Sequence, residues 1–198
     1  MPLTGLALAE ERDDLDTGPA EAPRPFVLGA AKLRALQNEH FEFLWRSLRR
    51  LGVPEADVDD AVQQVFVVAA RREIQPGAER SFLFATALRV ASHARRTLRR
   101  RRESGEEPPD QTDVVPSPEE LLDQRRARAL LDEVLETLPL DVRAVFILFE
   151  LEEMTVVEIA AMLGIPGGTA SSRLRRGREM FQQAVARVKA QQAPRRQP

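Results

Sequence analysis

Thr155-Val-Val-Glu-Ile-Ala-Ala-Met-Leu-Gly-Ile-Pro-Gly-Gly-Thr-Ala-Ser-Ser-Arg-Leu-Arg-Arg-Gly-Arg178 sets a capped helix, a glycine turn and a basic second helix end to end. Thr155 and Glu158 have the spacing of a reciprocal cap, in which each side chain takes the other residue's backbone N–H. Gly164 suits the left-handed position that ends such a helix, because it has no Cβ to clash there. Ala160 is small where the two helices would cross, and Ala170 and Leu174 give the second helix its apolar side. Thr169, Ser171, Ser172, Arg173, Arg175, Arg176 and Arg178 remain for the opposite side. The pattern predicts a helix-turn-helix, a unit that places its second helix in the major groove of duplex DNA. A basic helix face can be merely solvated. The coincidence of cap, small residue, turn glycine and one-sided arginines favours DNA contact.

Outward from that unit, the chain of 198 residues divides by composition. Residues 1–31 are rich in Ala, Pro, Gly and acid without sustained periodicity, which predicts a disordered leader. From Lys32, Leu33, Leu36, Phe41, Leu44, Trp45, Leu48 and Leu51 recur at helical spacing until Gly52 and Pro54. Asp57 is placed to cap the next helix, whose apolar positions are Val58, Val62, Val65, Phe66 and Ala69. Gln75-Pro76-Gly77-Ala78 reads as a turn, and Ser81 as the start of a third helix running to about Arg102. In the second domain Leu131, Val134, Leu135 and Leu138 form one helical face and Val142, Val145, Phe146 and Phe149 the next, with Pro139 between them. Met180, Phe181, Val185 and Val188 extend the basic helix, and a tail follows over 191–198. No stretch reads as a strand. The expectation is an all-α chain: two small helical domains, 32–102 and 119–190, joined by a flexible acidic Pro-rich linker over 103–118.

The net charge of −2 conceals a segregation, since 89–102 hold seven arginines and no acid while 103–123 hold eight acids and no base. A nucleic-acid binder need only be basic locally, where phosphates are neutralised. The lack of cysteine excludes disulfides and cysteine-bound metal. No cofactor or metal is expected. The N-terminus lacks a secretory signal and no apolar run could span a bilayer, so no membrane insertion is expected and the default compartment is the cytoplasm. Catalysis is not expected either: Gly164 to Gly168 lack the lysine and strand of a phosphate loop, and His40 and His93 have no motif partner. Glu152 and Glu153, at a helix end, read as solvated.

Two stretches, in this order and at this separation, resemble an extracytoplasmic-function (ECF) sigma factor of bacterial RNA polymerase. They are Asp57-Val-Asp-Asp-Ala-Val-Gln-Gln-Val-Phe66, and Leu138-Pro-Leu-Asp-Val-Arg-Ala-Val-Phe-Ile-Leu-Phe149 with the helix-turn-helix behind it. The resemblance covers 36–102 and 121–189. It implies an alternative sigma factor that binds core RNA polymerase, through the beta-prime clamp helices and the beta flap, and directs promoter-specific initiation. It makes 32–102 a region 2-like domain and 119–190 a region 4-like domain. It assigns Asp57, Asp59, Asp60, Gln63, Gln64 and Phe66 to polymerase docking. It assigns Phe82, Phe84, Arg89, His93, Arg95, Arg96, Arg99 and Arg100 to reading and opening the −10 element, and the polar face from Thr169 to Arg178 to the −35 element. Arg89 and His93 stand where the family usually has Asn and Asp, and Ala170-Ser171 departs from its recognition-helix pattern, so neither base preference transfers. An anti-sigma partner is a further implication. The linker would either thread toward the polymerase active-site and RNA-exit channels or act as a plain tether. A stand-alone helix-turn-helix regulator and a sigma-like decoy for an anti-sigma protein remain the alternatives.

Overall fold

The structure, a computed structural model, describes residues 28–103 and 119–192. Among them lie seven helices and no strand: α1 Ala30–Arg50, α2 Glu55–Ala70, α3 Glu79–Glu103, α4 Glu119–Glu136, α5 Leu140–Glu150, α6 Val156–Leu163 and α7 Gly167–Gln192. The all-α expectation holds. Residues 1–27 of the expected leader, 104–118 of the expected linker and 193–198 of the expected tail lie outside the described residues.

The first three helices pack on one another. On α1 the inward ladder is Leu36, His40, Phe43, Leu44, Ser47 and Leu48. Phe41, expected in that face, is exposed. Phe43 lies seven residues, two helical turns, beyond Leu36 and takes the core position, whereas Phe41 points well away from it. Leu28 is buried and its N–H donates to the Ala70 carbonyl at 3.1 Å, so the first helical unit includes residues before the expected boundary at Lys32.

Helix α2 starts at Glu55 with Pro54 at its N-cap and no side-chain cap, which corrects the capping role expected of Asp57. Proline supplies the extended entry geometry, and the Asp57 N–H donates to the Pro54 carbonyl at 3.0 Å inside the first turn. The Asp57 carboxylate still favours that helix end through the dipole. Gln75 to Ala78 form the expected turn, with Gly77 at φ +84° and the Ala78 N–H on the Gln75 carbonyl at 3.0 Å. Pro76 followed by a positive-φ glycine is the type II signature, and α3 then begins two residues earlier than expected.

In the second half, Thr155 accepts from the Glu158 N–H at 3.3 Å while Glu158 accepts from the Thr155 N–H at 2.8 Å. Gly164 adopts φ 63°, ψ 33° and the Ile165 N–H returns to the Ala160 carbonyl at 3.0 Å. Both local expectations hold. Helix α7 packs along α5 at Gly177, where an added Cβ would lie 3.2 Å from side-chain carbons of Phe146 and Val142. Phe146 and Phe181 stack beside it at 4.9 Å.

The two halves share one continuous apolar core, α3 lying against α6 and α1 against α4. This explains α5, in which every residue from Val142 to Leu148 is buried. A helix buried all round must be covered on both sides. One side faces α7 and another α6, and Arg143 reaches Gly52 of the first half.

Candidate nucleic-acid interface

Helix α7 presents Ser171, Ser172, Arg175 and Arg176 to solvent, with Thr169 half-buried. The two serine hydroxyls donate back to their own helix, Ser171 to the Gly167 carbonyl at 3.0 Å and Ser172 to that of Thr169 at 2.9 Å. The arginines divide into two kinds. Arg173 is turned toward α5, its Nε 3.1 Å from the Asp141 carboxylate, and is 20% exposed. Arg178 is held at the other end of α5 by Glu150 at 2.6 Å and lies 4.8 Å above the Phe149 ring. Arg175 and Arg176 carry no ion pair among the described residues and are free to meet a phosphate or a base edge. Asp141 and Glu150 therefore fix the orientation of α7 by gripping it at both ends of α5, a function the sequence reading did not find.

On α3, Arg89, His93, Arg96 and Arg100 recur at four, three and four residues, which puts them on one stripe, and Arg99 is exposed next to it. Phe82 is half-buried at the start of the helix. Two residues expected on this surface are elsewhere. Phe84 is fully buried, its ring centroid 5.8 Å from that of Phe43, because it falls on the apolar ladder of α3 with Ala87 and Ala91. Arg95 turns toward the second half of the chain, where its Nη1 is buried without a partner and burial lowers its pKa.

Helix α2 exposes Asp57, Asp59, Asp60, Gln63 and Gln64, while Phe66 is a core residue, on the buried side with Val58, Val62 and Val65. Asp59 accepts from Trp45 Nε1 at 3.1 Å. Asp60, Gln63 and Gln64 continue into Val67, exposed on the same stripe. Val67 was missed, although its position seven residues after Asp60 signals it.

The strongest electrostatic feature lies between the halves. Glu152, expected to be solvated, has a side chain only 6% exposed, and it faces Arg50 at 2.7 Å, Arg46 at 3.6 Å and Arg80 at 3.7 Å. Burial lowers the Arg50 pKa although Glu152 opposes the shift. Arg49 bridges Glu55 and Asp132, both at 3.0 Å. Burial raises the Asp132 carboxyl although Arg49 opposes the shift. Behind these pairs Arg143 is fully buried with none of its three guanidinium nitrogens bonded. Burial first and Arg95 second push its pKa down to about 9.

Residues 128–181 match the family model for sigma-70, region 4. The chain is 30% identical over 162 residues to the ECF RNA polymerase sigma factor SigE of Mycolicibacterium smegmatis, covering 80% of this chain and 63% of that relative's length. It is 32% identical over 149 residues to the ECF RNA polymerase sigma factor SigL of Mycobacterium tuberculosis, covering 73% of this chain and 84% of the relative. Its fold is similar to that of CnrH, solved in complex with the cytosolic domain of CnrY, with a TM-score of 0.59 at 24% identity over 80% of this chain and 90% of that one. It is also similar to the sigma factor RpoE of Bartonella quintana, solved with the anti-sigma factor NepR, with a TM-score of 0.55 at 20% identity over 77% and 98% of the two chains. The packed helical halves and the helix-turn-helix thus agree with the sequence relatives: the chain belongs to the ECF RNA polymerase sigma factors, a family of non-enzymatic transcription initiation factors.

Proposed function

We propose that this chain is an alternative sigma factor whose three exposed surfaces divide the work of initiation. The stripe Asp60, Gln63, Gln64 and Val67 on α2, with Asp57 and Asp59 beside it, docks on the beta-prime clamp helices of core RNA polymerase. The stripe of Arg89, His93, Arg96 and Arg100 on α3, with Arg99 and Phe82, holds the opened −10 element by its phosphates and bases. Arg175 and Arg176 with the Ser171–Ser172 edge of α7 read the −35 element, and the second domain also meets the beta flap. The domain extents of the sigma reading, 32–102 and 119–190, carry these roles. The single observation behind this reading is the coexistence, in one chain, of a polar docking stripe and a basic stripe on the first half with a gripped recognition helix on the second. A stand-alone regulator needs only the last of these and a dimer face.

An anti-sigma protein is the natural regulator, as for the relative solved with NepR. Among the described residues no helix is long and apolar enough to cross a membrane, which agrees with a cytoplasmic site of action. The test is competition of the purified chain with the housekeeping sigma factor for core polymerase. Binding that is lost on Asp60→Lys supports the assignment; duplex DNA binding without polymerase binding supports the stand-alone regulator.

A further inference from the structure

Three arginines from two helices converge on Glu152: Arg46 and Arg50 from α1 and Arg80 from α3. One carboxylate cannot neutralise three guanidinium groups. Arg46 also touches Glu42 at 3.4 Å, but that acid is itself almost fully exposed. Arg46 and Arg80 remain 44% exposed although Glu152 is buried among them, so the cluster is a partly open cationic surface: Glu42 touches Arg46 from solvent, Glu158 acts on Arg80 and Asp132 on Arg50, and Glu152 is the buried anion at its centre. Its stacking partner is an aromatic ring, since the Arg80 guanidinium lies 4.2 Å over Phe43. Arg80 sits at the start of α3, two residues from Phe82 and at the positive end of that helix's dipole, while Arg46 and Arg50 come from the last turns of α1. Guanidinium groups that converge from two helices make a seat for phosphate.

We propose that Arg46, Arg50 and Arg80 form an additional binding surface for the phosphodiester backbone of nucleic acid, and that Glu152 of the second domain occupies it as an internal substitute for phosphate. Nucleic acid at this surface and packing of the two domains through Glu152 then exclude one another. The packed arrangement is built to be displaced. It strands the Arg143 guanidinium and the Arg95 Nη1 without acceptors, and burying unpaired charge opposes association. Separation of the domains returns Arg143 and Arg95 to water while the three arginines exchange one carboxylate for phosphates. The inference rests on the nucleic-acid reading above and extends it to residues on α1 and to a reason for Glu152.

The test uses the full chain. Because it contains no cysteine, Ala35→Cys and Ala186→Cys, exposed on α1 and α7, can carry a donor and acceptor dye that report domain separation. The probe is a mixed-sequence single-stranded oligonucleotide. Glu152→Gln, close in shape to the parent side chain, is expected to lower energy transfer and to tighten oligonucleotide binding at least about fivefold. Oligonucleotide added to the parent chain is expected to lower energy transfer as well. Arg46→Ala with Arg80→Ala is expected to weaken binding and to reduce the slope of log affinity against log salt by about one to two, a change that a structural role alone does not produce. Unchanged energy transfer in Glu152→Gln would overturn the displacement. Lowered transfer with unchanged affinity and salt slope would overturn the phosphate surface. Core polymerase competition, measured on the same variants, reads the sigma assignment separately and is expected to stay intact.

Discussion

Gly52 and Arg143 meet across the boundary between the two halves of the chain, and a Cβ on Gly52 would lie 2.7 Å from Nη1 of Arg143. Gly52 also holds φ +96°, a backbone geometry that side chains resist. Gly52→Ala therefore meets two penalties together. The expected loss is about 2 kcal/mol or more of unfolding free energy, with reduced domain packing, measured by denaturant unfolding alongside dye energy transfer.

Arg143→Met is expected to act in the opposite direction. Replacing an unpaired buried cation by an apolar side chain of similar length stabilises the packed form by about 1–4 kcal/mol. In the parent chain burial, and Arg95 after it, hold the folded pKa of Arg143 at about 9, well below its ordinary value. The stability linked to this group is full above the ordinary value and is lost as pH falls through the folded one. Domain packing should therefore strengthen as pH rises from about 8 to about 10. Arg95, Glu136 and Asp132 surround the group, and Arg143→Met should remove the slope that energy transfer records.

The recognition-helix arginines should separate by phenotype. Arg175→Ala and Arg176→Ala are expected to weaken promoter DNA binding by about 1–3 kcal/mol if each contacts a base edge, with the fold intact. Arg173→Ala, which leaves Asp141 without its partner, is expected to lower the melting temperature and to weaken DNA binding only through the tilt of α7. Calorimetry and binding to promoter against mixed-sequence duplex on the three variants decide this; an equal loss of sequence preference in all three would contradict the division.

Gly177 lets α7 lie close on α5. Gly177→Val is expected to cost about 1–3 kcal/mol by overpacking against Phe146 and Val142, read as a fall in the denaturation midpoint.

Glu153 turns the chain after α5 with φ 54°, the single positive-φ residue other than glycine among the described residues. Glu153→Gly relieves that strain and is expected to raise stability by about 0.5–1 kcal/mol. A fall instead would mean that the added freedom of the unfolded glycine outweighs the relief.

What the sequence made legible follows from the range of the forces involved. The Thr155–Glu158 cap, the Gly164 stop and the Gly77 turn are decided within four residues, and each has the geometry its residue types demand. The failures arose where a tertiary partner decided. Phe41 and Phe43 are both large and apolar, and only the register against α2 and α3 chooses Phe43 for the core. Phe84 and Phe66 resemble exposed family positions but fall on buried ladders. Arg173 and Arg178 look like their neighbours until Asp141 and Glu150 of α5 are placed beside them. Glu152 read as solvated and the environment of Arg143 stayed hidden, since the partners that bury them come from residues about 50 to 100 positions earlier. One signal was available: the run Ala144 to Leu148 is apolar on every side, too much for a helix with a single covered face.

The chain has one tryptophan and no tyrosine, and that indole donates its Nε1 hydrogen to Asp59 on the docking helix. Ultraviolet emission from the unlabelled protein therefore comes from a single spot beside the surface proposed to meet polymerase. A change in its wavelength or intensity would report the fate of the Trp45–Asp59 bond on a millisecond timescale, without any dye.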